Sequence, residues 1–339
     1  MQTKSFIVPI AFFAASLSLE ARSDHVRIVQ TNSAGDSVML IDPATNSVVG
    51  EIRDIEVNHG AAVAPDGSRF YITNEAESTV DVADAKSLKV IKRIPLTNHP
   101  NNITISKDGK RVYAAIVAGA GAVDVIDTAT LTRVKSIRTE GGVHNTYITP
   151  DGLYVVAGSI IGRKISVIDA KTEEIVWTIP MEAGVRPICF EKNADGRTHR
   201  MFVQLSDFHG FLGVDWASRQ IVDRVKLPDV PVNERHTEGL QGSPSHGIGI
   251  APDGKTLWVN SKVNSRVYVY SMPDLKLVAG VKVGDHPDWL TFTPDRSRLR
   301  KPERNSEVSR RVFEGSVPVL AAAPPKTGSF SITATDLPK

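Results

Sequence analysis

Histidine is the residue type whose spacing in this sequence most directly suggests chemistry. The 339 residues include nine histidines, and three of them, His59, His144 and His246, each lie seven residues before the aspartate of a recurring turn. Local packing alone rarely places histidines at the same distance from the turn aspartate in several repeats. Neutral imidazoles near carboxylates suit Zn, Cu or Fe, and an open coordination position makes such a metal catalytic. The three histidines are therefore candidates for holding a metal or contacting a substrate.

A second group of residues has a different offset. His99 and His286 lie nine residues before their turn aspartates, each is followed by proline, and Arg186 shares both properties. For the two histidines this pattern favours a structural role, in which the imidazole hydrogen-bonds its own repeat. We retain Arg186 as a candidate for ligand binding.

The turn itself marks an internal repeat. Its aspartates are spaced by 42, 43, 44, 58 and 42 residues. Each unit contains a short apolar run before the turn and an aromatic run after it, followed by two further runs with alternating polarity, which predicts four short antiparallel strands. A repeat of about 40 to 45 residues with four strands is typical of a β-propeller blade. The turn aspartates are Asp66, Asp108, Asp151, Asp195, Asp253 and Asp295.

Two segments carry a family resemblance. At Tyr71-Ile72-Thr73-Asn74, and from Ile105 to Tyr113, the sequence resembles the YVTN family of exported β-propeller repeat proteins, and the similar pattern extends over residues 26–295. The resemblance implies an all-β propeller with seven four-stranded antiparallel blades. In this chain six units are clear and the last blade is incomplete. Relatives with similar blades include cytochrome d1-type haem domains and lactonase-like propellers, so the resemblance does not fix a function.

The ends of the repeat region predict how the ring closes. Residues 26–53 provide three strands without an innermost one, so we expect that strand from the C-terminus. The propeller domain is predicted over 24–295, because the repeat stops there. Residues 296–339, with nine basic and four acidic residues, are predicted to be an irregular basic tail in place of the last-blade strands. A natural tail, a reading-frame change and a degenerated blade remain open, and 288–293 could pair directly with 26–30 or leave the ring open.

The N-terminal 23 residues predict export. Lys4 precedes an apolar run from Phe6 to Leu19, and Ala21-Arg22-Ser23 forms a small-x-small cleavage site. The run is shorter than the ~20 residues that span a bilayer, which favours a signal peptide over a membrane anchor. The expected location is periplasmic or secreted, without a membrane span.

Composition excludes several classes of cofactor and partner. The single cysteine, Cys189, excludes a disulfide framework, iron–sulfur clusters and covalent c-type haem. Residues 24–295 carry a formal charge of −4, so nucleic-acid binding is not favoured. A divalent metal and a non-covalent haem remain open as cofactors.

Blade topology places most of the candidate residues on one face of the disc. The loops between second and third strands share this face with the connections between blades, around the mouth of the central channel, and seven of the nine histidines map to it. The insertion from Pro228 to Pro244 lies there as well. Besides the three histidines and Arg186, the candidates are Glu75, Asp207, His209, Asn260 and Lys262 from the loops, and Glu234, His236 and Glu238 from the insertion.

These observations predict a monomeric, exported binding module that presents a His-rich face to a small ligand, a metal or an exported protein partner. The alternative is an enzyme at the channel mouth, either a metal- or haem-assisted oxidoreductase or a lactonase-like hydrolase. Whether the protein is an enzyme stays open at this point.

Overall fold

The computed structural model describes residues 25–43, 45–293, 318–320 and 332–337. Apart from a short 3-10 helix, Val232–Glu234, the regular elements in these ranges are strands. This agrees with the period-two alternation of apolar residues in each repeat. The strands are β1 His25–Gln30, β2 Val38–Asp42, β3 Ser47–Ile52, β4 Asn58–Val63, β5 Arg69–Asn74, β6 Thr79–Asp84, β7 Val90–Pro95, β8 Pro100–Ile105, β9 Arg111–Ile116, β10 Ala122–Asp127, β11 Thr132–Arg138, β12 Val143–Ile148, β13 Tyr154–Ser159, β14 Lys164–Asp169, β15 Glu174–Pro180, β16 Val185–Lys192, β17 Thr198–Leu205, β18 Gly210–Asp215, β19 Ile221–Lys226, β20 Ser245–Ile250, β21 Thr256–Ser261, β22 Arg266–Ser271, β23 Leu277–Lys282, β24 Leu290–Phe292, β25 Pro318–Leu320 and β26 Ile332–Leu337.

Within the described ranges the strands form six four-stranded antiparallel blades. Blade 1 is β26-β1-β2-β3, and blades 2 to 6 follow in chain order as β4–β7, β8–β11, β12–β15, β16–β19 and β20–β23. The predicted all-β propeller with four-stranded blades is therefore confirmed. The seventh blade of the family pattern is not confirmed, since the remaining sheet has two strands, β24 and β25, in the residues that the structure describes.

A strand from the C-terminal segment completes blade 1. β26 pairs antiparallel with β1, with Gln30 opposite Ile332. The innermost strands contact one another in the order β4, β8, β12, β16, β20, β24 and β26, and β26 contacts β4. The expectation that the C-terminus supplies this strand is confirmed, and the alternative pairing of 288–293 with 26–30 is wrong.

The other predictions about the chain ends fall largely on residues outside the described ranges. These residues include the whole of the predicted signal peptide, 1–23, and the segment directly after Thr293 in which the propeller was expected to end. Within the predicted tail, the described stretches 318–320 and 332–337 are strands. No helix in the described residues is long and apolar enough to cross a membrane.

Buried side chains between blades hold the inner strands in place. One cluster joins Tyr113 and Val125 of blade 3 to Val155 and Ile168 of blade 4. Full burial of one large apolar side chain contributes about 1.5–3 kcal/mol. The recurring turns add local order, because Gly67 has a φ of 71° and the Asp66 carboxylate accepts from the Ser68 N–H at 2.9 Å. Packing between the blades therefore holds the inner strands, and the loops that they carry, in position.

Candidate functional site

A β-bulge occurs at the start of the innermost strand in each of blades 2 to 6. In blade 2, Asn58 pairs with Asn74, but the next pair is Ala61 with Ile72, so one extra residue lies on the inner strand. The other four blades have the same irregularity directly after their first residue. A bulge interrupts the pairing and redirects a side chain. The residues in the second position of these strands are His59, Asn101, His144, Arg186 and His246.

Strand pairing therefore corrects the assignment of Arg186. Its predecessor Val185 pairs with Leu205, the last residue of β17, just as Val143 pairs with Ser159 in blade 4. Counting residues back from Asp195 had placed Arg186 with the proline-following histidines. That count is misleading because β16 has eight residues where β12 has six. Arg186 is structurally equivalent to His144.

Three of these positions meet at one side of the channel mouth. The rings of His144 and His246 lie 5.8 Å apart, centroid to centroid, at a steep angle. The strand that carries Arg186, β16, lies between their strands in the ring order, and Arg186 lowers the pKa of both imidazoles. We call His144, Arg186 and His246, together with Lys262 and Asp288 described next, the mouth cluster.

Asp288 and Lys262 complete the mouth cluster with a buried ion pair. The Lys262 Nζ lies 3.1 Å from the Asp288 Oδ1, and both side chains are 6% exposed. The His246 Nδ1–H donates to the Asp288 backbone oxygen at 3.2 Å and lies 3.4 Å from its Oδ1. The rings of Trp289 and His246 meet edge to face, with centroids 4.7 Å apart. These contacts fix the orientation of the His246 imidazole.

Both central histidines carry their proton on Nδ1. In His246 this nitrogen faces the two oxygens of Asp288, and in His144 it donates to the amide oxygen of Asn145. A neutral imidazole with its proton on Nδ1 presents an acceptor lone pair on Nε2. Neither Nε2 has a hydrogen-bond partner among the described residues.

Burial keeps these two histidines neutral at neutral pH. It lowers the pKa of His246 to about 4, although the Asp288 carboxylate acts in the opposite direction. Burial also lowers the pKa of His144 well below its usual range, and the neighbouring His246 and Arg186 add to this. Burial of Asp288 favours its neutral form, but the surrounding positive groups, among them Lys262, outweigh it, so the Asp288 pKa is lowered. The mouth cluster thus contains two cations and one carboxylate.

Arg186 is the cation in this cluster without a carboxylate partner. Its Nε donates to the Ser206 Oγ at 2.9 Å and its Nη2 to the Gln241 backbone oxygen at 2.8 Å. Asp207 and Asp288 act on it only from a distance, and burial lowers its pKa. No carboxylate of the described residues lies within ion-pair distance of Arg186. Its Nη1 and one N–H of Nη2 remain available.

Unpartnered buried polar groups adjoin the cluster. Asn260 is fully buried, and neither atom of its side-chain amide has a hydrogen-bond partner in the described part of the chain. Its Nδ2 lies 2.8 Å from the point that a Cβ on Gly247 would occupy, directly after His246. The indole N–H of Trp289 is likewise buried without a partner. Most buried polar groups in folded proteins are hydrogen-bonded, so these unpartnered groups make the region a candidate binding site.

His59 contacts two further residues, Glu75 and Asn101. Its Nδ1 lies 3.5 Å from the Glu75 Oε2, and the Asn101 side-chain amide donates to its Nε2 at 3.2 Å. The hydrogen bond from His59 lowers the Glu75 pKa. Both ring nitrogens of His59 thus face protein groups, whereas the rings of His144 and His246 contact each other directly. No group of three or more His, Cys, Asp or Glu side chains in the described residues is arranged to hold a metal ion.

The other predicted site residues, His209, Asp207, His236 and Glu238, form no hydrogen bond or ion pair with the mouth cluster in the described part of the chain. The His209 Nε2 and the Ser261 Oγ share a hydrogen bond of 2.8 Å. Asp207 is exposed and has a positive φ of 59°. His236 lies 3.5 Å from Asp285, with its Nε2 facing the Oδ1. Glu238 is exposed on the insertion and makes no hydrogen bond or ion pair with the described residues. The structure does not bring His236 or Glu238 to the cluster.

Two residues in contact with the predicted histidines were missed from the sequence. Asn101 contacts His59, and Asp288 lies at the centre of the mouth cluster. Both precede their turn aspartates by seven residues, the same offset as the three histidines. The offset of seven residues was considered only for histidines, so Asn101 and Asp288 were not found.

The insertion from Pro228 to Pro244 contacts this part of the face at several points. The Glu234 carboxylate pairs with Arg266 at 3.1 Å, and the His236 N–H donates to the Val263 oxygen at 2.7 Å. Near its end, the Gln241 backbone oxygen accepts from Arg186. The insertion therefore positions the one unpaired cation of the cluster.

Replacing 229–243 by a short Gly-Ser linker is expected to reduce the affinity for a ligand at the cluster about tenfold, which is the value of one hydrogen bond to a charged group. The melting temperature should change by only a few degrees, because long surface loops contribute little to the core. Calorimetric titration and thermal unfolding measure both effects. The control is Gln241→Ala, which keeps the backbone oxygen and should retain the affinity. A large loss of stability with unchanged affinity would identify the insertion as purely structural.

The fold and the cluster define a β-propeller with a polar site at one channel mouth. No family model matches the chain. Over 104 residues it is 26% identical to the "Uncharacterized protein YncE" of Salmonella typhi and of Salmonella typhimurium, a match that covers 31% of this chain and 29% of each relative. The chain thus spans under a third of the curated relatives it matches. A solved structure named "Kuenenia stuttgartiensis Hydrazine Synthase" is similar with a TM-score of 0.68 at 25% identity, covering 79% of this chain and 86% of that one.

Proposed function

We propose that this protein is a binding module that takes a small ligand at the mouth cluster. The observation that carries the proposal is Arg186, a partly buried cation without a carboxylate partner, beside two imidazoles with unpartnered Nε2 atoms. A charge withdrawn from water requires compensation. A bound ligand would supply it, and propellers commonly bind ligands at this face.

We further propose that the module acts outside the cytoplasm as a monomer, with an exported protein as a further candidate partner. The N-terminal segment with Lys4, the apolar run Phe6 to Leu19 and the small-x-small site supports export. N-terminal sequencing of the protein recovered from its natural compartment is expected to begin near Asp24. A start at Met1 would contradict this.

The test of ligand binding is a thermal-shift screen of the full chain with four classes of small molecule: carboxylates, phosphates, neutral sugars and amines. One class should raise the melting temperature in a saturable manner, since ligand that binds only the folded state stabilises it. The shift should disappear in the double variant His144→Ala/His246→Ala. The control is His199→Ala, an exposed histidine on the opposite face. No shift with any class, or a shift that survives in the double variant, would contradict the proposal.

A hydrolase is the second candidate. His246 is neutral, is oriented by Asp288 and presents a free Nε2, which is the arrangement of a general base that activates water. The structural neighbour is named as a synthase, which supports retaining an enzymatic candidate. Hydrolysis of a lactone probe at a rate that falls at least about a hundredfold in His246→Gln would favour the hydrolase. A rate equal to that in buffer would favour the binding module.

A further inference from the structure

The charges of the mouth cluster specify the charge of its ligand. Lys262 and Asp288 neutralise each other at 3.1 Å. Both central histidines are neutral because of burial, which leaves the guanidinium of Arg186 as the positive charge of the cluster without a carboxylate at ion-pair distance among the described residues; Asp207 and Asp288 act on it from farther away. A single negative charge balances the cluster, whereas a neutral or cationic ligand leaves it unbalanced.

The donors that remain on Arg186 specify the geometry of that negative group. Two of its five N–H groups are bound to Ser206 and Gln241, and the remaining three include both of those on Nη1. Parallel N–H groups of a guanidinium match the two oxygens of a carboxylate. Only Nε and one N–H of Nη2 are held by the protein, so the guanidinium is fixed in orientation while its end stays accessible.

The two imidazoles require a different group on the same ligand. Their Nε2 atoms are acceptors, because the Nδ1 atoms of His144 and His246 donate to Asn145 and Asp288. An acceptor lone pair repels a carboxylate oxygen but accepts from a hydroxyl. A ligand that satisfies both Arg186 and an imidazole therefore carries a hydroxyl close to its carboxylate.

We propose that the mouth cluster binds a small hydroxycarboxylate with one negative charge, its carboxylate on Arg186 and its hydroxyl donating to the Nε2 of His144 or His246. This inference rests on the proposed binding function and adds the chemical class of the ligand. The amide of Asn260 and the indole N–H of Trp289 lie beside His246, where they offer further polar groups.

The test is calorimetric titration of the full chain with lactate and propionate, which differ by one hydroxyl, and with glycerol and methylamine as neutral and cationic probes. Lactate is expected to bind saturably and about tenfold or more tightly than propionate. Arg186→Gln should lose binding of both acids. Arg186→Lys should weaken it about tenfold, because an ammonium keeps the charge but not the paired N–H groups.

The controls separate this site from weak general anion binding. Arg197→Gln removes an equal charge from an exposed turn on the opposite face and should leave lactate binding unchanged. His246→Phe should bring lactate down to the affinity of propionate, and if that variant does not fold, His144→Phe provides the same comparison. Circular dichroism verifies folding of each variant.

Three results would overturn the inference. Equal binding in the wild type and Arg186→Gln would show an adventitious ion only. Equal affinity for lactate and propionate would exclude the hydroxyl contact. Binding of glycerol or methylamine alone, lost in the double variant His144→Ala/His246→Ala, would refute the hydroxycarboxylate while supporting the ligand site, whereas no binding of any probe class would contradict the proposed function as well.

Discussion

Asp288→Asn is expected to lower the free energy of unfolding by about 3–5 kcal/mol, because it leaves the buried ammonium of Lys262 without its carboxylate. The substitution keeps the side-chain volume and the backbone oxygen that accepts from His246. The expected loss of stability therefore comes from the removed charge and not from a cavity. Urea unfolding at neutral pH measures it.

The matched control for this effect is Asp229→Asn, which removes an exposed carboxylate from its pair with Arg235 and should cost at most about 1 kcal/mol. The double variant Lys262→Met/Asp288→Asn removes both charges and should recover most of the lost stability. A loss below about 1 kcal/mol in Asp288→Asn would mean that the ion pair is hydrated and not part of a buried site.

The second large effect is a loss of stability in mild acid caused by His246. Its pKa is lowered by burial to about 4 in the folded protein, so the folded state resists a proton that the unfolded chain takes up below about 6.5. The contribution is complete above about pH 6.5 and is lost as the pH falls towards 4, with a total of about 3 kcal/mol. The sign is set by the lowered pKa, because the protonated form is the one disfavoured by folding.

Urea unfolding at several pH values tests this directly. Between about pH 6.5 and 4, the free energy of unfolding of His246→Gln should fall less steeply than that of the wild type, by about 1.4 kcal/mol per pH unit. Ile161→Ala, which truncates an exposed side chain without a titratable group, should leave the slope unchanged. Identical slopes in the wild type and His246→Gln would show that His246 is accessible to protons, contrary to its burial.

The sequence predicted the blades because their pattern is local. Turn, aromatic strand and alternating strand recur within about 40 to 45 residues, which is the range over which strand periodicity and turn chemistry operate. The closure by β26 was inferred from a missing strand rather than from residues 332–337 themselves. Pairing between the two ends of the chain depends on the whole ring and leaves no local signal.

The site was predictable only in part, for a similar reason. Counting residues to the turn aspartate located His144 and His246, because both lie at the same bulge in strands of equal length. The count failed at Arg186, where the inner strand is longer. Spacing also does not reveal that His59 contacts Glu75 and Asn101, which lie in different blades or loops. Such side-chain choices follow from packing and not from spacing.

The bulges explain how one fold can carry different sites. Each inner strand of blades 2 to 6 repeats the same irregularity, so a side chain at its second position is directed to the channel mouth without disturbing the blade. Changing these residues alters the chemistry at the mouth while the buried clusters between blades remain. The residues at these second positions are therefore distinct from the buried apolar clusters that pack the blades together.

The central claim is that the mouth cluster is a ligand site, and a crystal structure of the full chain soaked with lactate tests it most directly. The account predicts density for the ligand within hydrogen-bond distance of the Arg186 guanidinium and of the Nε2 of His144 or His246, with the Lys262 to Asp288 ion pair retained. Density on the opposite face, or an unliganded cluster at a lactate concentration that saturates the protein in solution, would contradict it.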